Sequence, residues 1–292
     1  FRGRERAAAR ARAGEDDEAP REVRLQASVP VRRDALVCEA ERARGVAVSL
    51  ERFRRVLAAV VGRGPGRADP PTMVVAFRDQ DSFALRSQER TARATAEGYF
   101  DAELMPVGKL VADEQPRGDT SLDKLAALNP LLGAGTSITA GNASGINDGA
   151  CALLLASAEA IERWNLTPRA RVLGMASAGV TPRTMGIGPV PAIGKLLARH
   201  GHQLPDYDVI EINEAFAAQV LAVTRALGLA DDAAHVNAHG GAIALGHRLG
   251  ASGARLALTA MRSLERGSGR RALVSMCVGV GQGVALALER VE

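Results

Sequence analysis

The sequence predicts an α/β fold built on a layered, mixed sheet, and three observations carry that prediction. Beyond Pro168, short apolar segments alternate with longer stretches of helical periodicity. The last two apolar segments, Ala272 to Cys277 and Gly283 to Leu288, are separated only by a Gly-rich turn. That is too short for a crossover helix, so this pair must be antiparallel. The points where apolar segments run out are rich in Gly, Asn and His, as the strand-to-helix junctions of layered α/β proteins are.

Taken in order, residues 1 to about 77 contain Arg but no Lys, with Pro and Gly scattered between short apolar runs. One helix is expected there, from Leu50 to Val61, where Phe53, Val56, Leu57 and Val60 share a face. Gly62 to Pro71 reads as a breaker-rich linker. Ser82 to Gly98 is the next predicted helix, followed by a polar, turn-rich stretch to about Thr136. Thr139 to Ala150 is a loop of small and turn-forming residues, whose short side chains let backbone approach a ligand. It opens into the apolar run Cys151 to Ala156, read as helical core, with Cys151 as a core residue. Then come a strand (Arg171 to Met175), a helix (Pro189 to His200) with Pro in its first turn, and a strand (Asp208 to Ile212). Helices from Glu214 to Leu227 and from Ser252 to Arg266 precede the final two strands.

Composition narrows the function classes. The chain has 292 residues, 47% of them hydrophobic and 24% charged, enough for a substantial core in a water-soluble protein. Its best apolar stretch, Ala272 to Leu288, is interrupted by Gly279, Gly281, Gln282 and Gly283, so no membrane span is predicted. The net charge of +4 rests almost wholly on Arg, with Lys only at 109, 124 and 195. No zinc-ligand spacing or aromatic-and-basic motif accompanies it, so no nucleic-acid partner is expected. Cys38, Cys151 and Cys277 make an odd, sparse set, which argues against a disulfide framework and for a reducing, cytoplasmic compartment. The Arg-rich opening lacks the Ser enrichment of a transit peptide and turns acidic at Glu15 to Glu18.

Three segments carry candidate chemistry: Asn213-Glu214-Ala215-Phe216, the run from Asn237 through His239 to His247 and on to Gly253, and Cys277-Val-Gly279-Val-Gly281-Gln-Gly283. A Cys, a His and an Asn amide delivered to one crevice supply an acid/base pair and an oxyanion donor. Each also has a plainer reading. A Cys ending an apolar strand is commonly a small buried hydrophobe, and Asn213 suits a helix N-cap. His239 has no evident partner and is read as structural.

In this order and spacing the three segments resemble the thiolase family, with its NEAF, GGAIALGH and CxGxGxG boxes. The resemblance runs from about Asp79 through Asp81 to Gln88, the Ala140 to Gly145 loop and Met185-Gly-Ile-Gly-Pro189 to the C-terminus. It implies a thiolase-like layered α/β fold whose C-terminal half is complete and whose N-terminal half is largely missing. Residues 1–77 are then an unmatched Arg-rich segment, 78–140 part of the loop domain, 141–167 the end of the N-terminal half, and 168–292 the C-terminal domain. Thiolases cleave 3-oxoacyl-CoA with coenzyme A, or condense two acyl-CoA molecules in the reverse direction, with no metal or organic cofactor.

Carried over by residue, the resemblance makes His247 the base that activates a nucleophilic thiol and holds one thioester oxygen. Asn213 would position the water completing that oxyanion site. Cys277 would move the proton on and off Cα, and a thiolate can serve as that base if neighbours lower its pKa. The Gly279 backbone N–H would line the second oxyanion hole, and Ser144 would lie in the loop contacting the CoA pantetheine. The run Met185 to Pro191, with the Cys277 box, most resembles 3-oxoadipyl-CoA thiolases of aromatic degradation, and an acetyl-CoA acetyltransferase fits nearly as well.

The chain also departs from the family. The nucleophilic cysteine lies in a Cys-x-Ser-Gly box of the N-terminal half, and nothing here matches it. Cys38 has no Gly or Ser beside it, and Glu39 and Glu41 would raise its pKa, so it receives no catalytic role. A frameshifted, truncated or rearranged gene would explain residues 1–77. The resemblance implies a homo-oligomer, but its main contact lies in the N-terminal half, for which residues 1–78 are too few. Arg248 stands where the family usually has Pro, placing a charge beside His247. The competing reading is a non-catalytic thiolase-like remnant or acyl-CoA-binding module.

Overall fold

The computed structural model of the protein describes residues 75–291. The helix expected from Leu50 to Val61, and Cys38, lie outside these residues. In chain order the helices are α1 (Phe77–Ala96), α2 (Leu122–Ala126), α3 (Ala158–Trp164), α4 (Pro189–His200), α5 (Ala217–Ala226), α6 (Ala242–Leu245) and α7 (Ser252–Arg266). The strands are β1 (Ala170–Gly179), β2 (Val209–Ile212), β3 (Arg271–Val278) and β4 (Gln282–Arg290).

The strands form one sheet in the order β1-β4-β3-β2. Both β1/β4 and β3/β4 are antiparallel, whereas β2 and β3 run parallel with Ile212 opposite Ser275. The sheet is therefore mixed, as the short last turn predicted. Parallel β2 and β3 end on the same side, with Asn213 just beyond one end and Cys277 near the other.

Side-chain alternation divides the strands between two apolar layers. Ile210, Ile212, Leu273, Ala285 and Ala287 pack with Ala192, Ile193 and Leu196 of α4 and with Val220 and Leu221 of α5. On the opposite face Ala272, Val274 and Leu288 pack with Leu256, Ala260 and Leu264 of α7. Helices on both faces explain why β3 and β4 read as almost continuous apolar runs. Glu211 faces the α7 layer as the polar exception, 3.6 Å from Arg255.

Two expectations are corrected. The helix predicted from Glu214 begins only at Ala217, with Phe216 in extended conformation at its N-cap, so Asn213 is not a helix cap. Cys151 to Ala156 is not helical core. It is irregular chain, with Cys151 half-buried and Leu154 and Leu155 at 84% and 76% exposure. An apolar run with no polar face buries itself only when other elements cover both its sides. Among the described residues no strand pairs with it. No helix among the described residues is long and apolar enough to cross a membrane.

Candidate functional site

The site is assembled where β2 and β3 run out. The Asn213 N–H donates to the Ser275 carbonyl at 2.9 Å, extending the parallel ladder by one residue. Asn237 secures the same end from the other side: its Oδ1 accepts from Ile212 N and its Nδ2 donates to Ile212 O, each at 2.8 Å. The side-chain amide thus acts as a strand neighbour would. The next residue, Asn213, is wholly buried, and its Nδ2 lies 3.4 Å from His247 Nε2.

The tautomer of His247 follows from its other nitrogen. Ser252 Oγ donates its proton to the Arg248 carbonyl at 2.9 Å and lies 2.7 Å from His247 Nδ1. With that proton committed, Oγ receives Nδ1–H, and Nε2 is left with the free lone pair. Asn213 Nδ2 is then the donor toward Nε2, at a distance that engages the lone pair only weakly. Asn213 Oδ1 is buried and has no hydrogen-bond partner among the described residues. An unpaired buried acceptor of this kind suits a bound water or substrate donor. Burial, with a smaller contribution from the Arg255 charge, pushes His247 down to about 4. At neutral pH the ring is uncharged and basic at Nε2.

The loop around Ser144 clasps both segments. Ser144 N and Oγ both donate to the Ala215 carbonyl, at 3.1 and 3.2 Å. The His247 N–H is shared between Gly145 O at 3.2 Å and Asn147 Oδ1 at 3.1 Å. Gly246 adopts φ +91°, and a Cβ there would fall 2.4 Å from Asn147 Oδ1, so this turn requires glycine. Glu214 supplies the buried anchor beneath. Its carboxylate accepts from Ser87 Oγ at 2.7 Å, Asn237 Nδ2 at 2.9 Å and Ile243 N at 3.1 Å. A Cβ on Gly241 would sit 2.3 Å from that carboxyl carbon.

Cys277 is buried with Ile138, Ala143, Met185, Ala215 and Phe216. Ala143 adjoins Ser144, and Ala215 follows Glu214, so this cluster brings the thiol to the loops that hold Ser144 and Asn213. Burial pushes the Cys277 thiol up to about 11. That is opposite to the lowering a thiolate base would need: apolar neighbours penalise the thiolate. Gly279 lies two residues on, exposed in the β3–β4 turn, with no atom within 4 Å of where its Cβ would be. The same turn holds Val280 at φ 62°, a left-handed conformation uncommon for a β-branched residue. His239 stacks on Tyr99 with ring centroids 3.5 Å apart, which supplies the partner its sequence context did not reveal.

Sequence reading missed Ser252, Asn147 and the anchoring role of Glu214. The first two lie inside motifs it singled out, but their hydrogen bonds depend on how separate loops meet. No group of three or more metal-ligating side chains occurs among the described residues.

Comparison with known proteins places this architecture. The thiolase N-terminal domain family model matches residues 73–159, and the thiolase C-terminal domain model matches residues 166–290. A beta-ketoadipyl-CoA thiolase from Pseudomonas knackmussii is 63% identical over 225 residues, covering 74% of this chain and 56% of the relative. The 3-oxoadipyl-CoA/3-oxo-5,6-dehydrosuberyl-CoA thiolase of Escherichia coli is 55% identical over 226 residues, covering 74% and 56%. Among solved structures, human mitochondrial 3-ketoacyl-CoA thiolase superposes with a TM-score of 0.72 at 42% identity, covering 74% of this chain and 56% of that one. A structure of the same human enzyme in complex with CoA matches with the same TM-score, 0.72. The chain spans about half the length of these relatives. Through residues 73–290, this chain belongs to the thiolase family.

Proposed function

We propose that this chain carries the acid/base half of a thiolase-type acyltransferase acting on 3-oxoacyl-CoA thioesters, with 3-oxoadipyl-CoA as its substrate class. The reading is carried by one observation: Asn213 Nδ2 meets the free-lone-pair nitrogen of His247 at the ends of a parallel strand pair. The names of the relatives from Pseudomonas and Escherichia support the substrate class.

In the thiolysis direction, His247 Nε2 takes the proton of the nucleophilic thiol, the thiolate adds to the 3-oxo carbonyl and the Cα–Cβ bond breaks. The bonding electrons pass to Cα as an acetyl-CoA enolate, and the acyl fragment stays on the nucleophile sulfur. Cys277, protonated at neutral pH, donates its proton to Cα. Incoming coenzyme A then yields its thiol proton to the Cys277 thiolate, its sulfur takes the acyl group from the nucleophile, and the departing nucleophile thiolate recovers its proton from His247. His247, once protonated at Nε2, and a water held by Asn213 stabilise one thioester oxyanion, and the Gly279 N–H contributes to the other. Ser144 fixes the loop over which the pantetheine lies. The compartment proposed is the cytoplasm.

A second reading has its own observation. The free cysteines among the described residues are Cys151 and Cys277, and Cys151 lies outside the cluster around Cys277. A chain that binds acyl-CoA without turnover fits this. One experiment separates the readings. Acetyl-CoA is incubated with the protein in D2O and methyl deuteration is followed by NMR, alongside thiolysis of acetoacetyl-CoA and 3-oxoadipyl-CoA. Deuteration that disappears in Cys277→Ala supports the acid/base half, and thiolysis shows whether the chain also commands a nucleophile. CoA binding with no deuteration favours the second reading.

A further inference from the structure

His247 sits in a short connection between α6 and α7, flanked by Gly246 and Gly250, with no strand or helix of its own. Something else must fix it, because a base misplaced by about 1 Å loses on the order of 100-fold in rate. Its neighbour Arg248 reaches three segments. Nη1 donates to the Leu245 carbonyl at 2.7 Å, at the end of α6, and Nε donates to the Asp148 carbonyl at 3.3 Å. Nη2 pairs with the Asp113 carboxylate. The Arg248 stem lies over Gly149, where an added Cβ would meet Arg248 Cγ at 2.7 Å. The paired side chains are only 18% and 26% exposed, so solvent screens them less than a surface pair.

A second, independent tie runs from the same outer segment. Gln115 Oε1 accepts from Asn147 Nδ2 at 3.2 Å, and Asn147 Oδ1 accepts the backbone N–H of His247 itself. The two ties grip the base from either side: Asp113 through the following residue, Gln115 through the amide that holds its N–H.

We propose that Asp113 and Gln115, acting through Arg248 and Asn147, form a clasp that positions His247, so that a segment outside the catalytic motifs sets the base. Its link to turnover rests on His247 acting as the base, but the geometry of the clasp does not. Arg248 thereby acquires a role that the proline usual at this position in the family has no side-chain donors to fill.

The test uses the full chain with Asp113→Asn, Arg248→Gln, the double variant, and Gln115→Ala, which removes no charge. Two readouts are taken: the ring 15N signals of His247, and the kcat and KM of Cys277-dependent acetyl-CoA deuteration. Each single variant is expected to move the His247 ring signals toward a tautomer mixture. Each should lower the deuteration kcat about tenfold with KM within about twofold. The Asp113/Arg248 double variant should be no worse than either single, because both break one tie. Arg248→Lys, which keeps the charge but loses the fork, should recover part of the loss. Unmoved ring signals in the singles, or losses that multiply in the double, overturn the clasp. If Asp113→Asn does not fold, Gln115→Ala alone decides by the same signals. Absence of deuteration in the unmodified chain would sink the catalytic reading, and the 15N signals would still decide the clasp.

Discussion

Ser252 Oγ lies 2.7 Å from His247 Nδ1 while giving its own proton to the Arg248 carbonyl. This one hydroxyl decides which nitrogen of His247 carries the lone pair. Ser252→Ala removes the acceptor for Nδ1–H, and the Nε2–H tautomer becomes populated. That tautomer presents a proton where a base is needed. We expect the rate of thiolysis, the reaction in which His247 is proposed as the base, to fall on the order of tenfold and stability to fall by about 1 kcal/mol. Ring 15N shifts report the tautomer directly, and an unchanged Nε2 signal would show that Ser252 does not set it.

Glu214 is a buried carboxylate with three donors and no solvent contact. Burial pushes its pKa up against those donors. Glu214→Ala leaves Ser87 Oγ, Asn237 Nδ2 and Ile243 N facing a void beside Gly241. The expected loss is on the order of 3 kcal/mol in urea unfolding. A loss under about 0.5 kcal/mol, the range typical of surface positions, would mean that these donors find other partners.

What the sequence disclosed and what it withheld divide along physical lines. The bounds of α4 and α7 were legible because apolar periodicity, Pro and Gly are local signals. The pairing of β3 with β4 was legible from the length of their turn. His247, Asn213 and Cys277 were legible as residue types in Gly-rich junctions. The hydrogen bonds that orient them were not, because Ser252, Asn147 and Asp113 reach His247 or Arg248 through loops with no pattern of their own. The raised thiol pKa was hidden for a related reason: it depends on Met185, Phe216 and Ile138, which come from three separate segments.

The Cys151 to Ala156 run departs from the sequence expectation because apolarity alone does not imply burial. Leu154 and Leu155 lie largely in solvent, so their side chains contribute little to the packing of residues 75–291. Leu154→Ser with Leu155→Ser is therefore expected to leave stability within about 0.5 kcal/mol of the original. It should also lower self-association and binding of a hydrophobic dye, since contiguous exposed apolar surface drives both. Sedimentation velocity and dye fluorescence check this. A loss of several kcal/mol would show instead that the run is covered in the native protein.

Stability as a function of pH separates two buried systems of opposite sign. His247 and His239 are both pushed down to about 4, by burial first and then by nearby Arg charges. Between pH 4 and about 6.5 the unfolded chain binds more protons at these residues, so their contribution makes stability rise with pH and then level off. Glu211 behaves oppositely. It is wholly buried, without a hydrogen-bond partner for either oxygen among the described residues, and burial pushes it up to about 8 despite Arg255. Between about 4.5 and 8 the folded chain binds more protons there, and stability falls as pH rises, by at most about 1.4 kcal/mol per pH unit. The two systems oppose each other below pH 6.5, and above it the Glu211 contribution continues alone of the two. Burial also pushes Glu214 and Glu103 up, so their contributions have the same sign. Urea midpoints should therefore decline from pH 6.5 to 8, and Glu211→Gln should flatten that decline while leaving the rise below pH 6.5 in place. If the decline between pH 6.5 and 8 is the same with Gln at this position, Glu211 is ionised in the folded protein and Arg255 outweighs its burial.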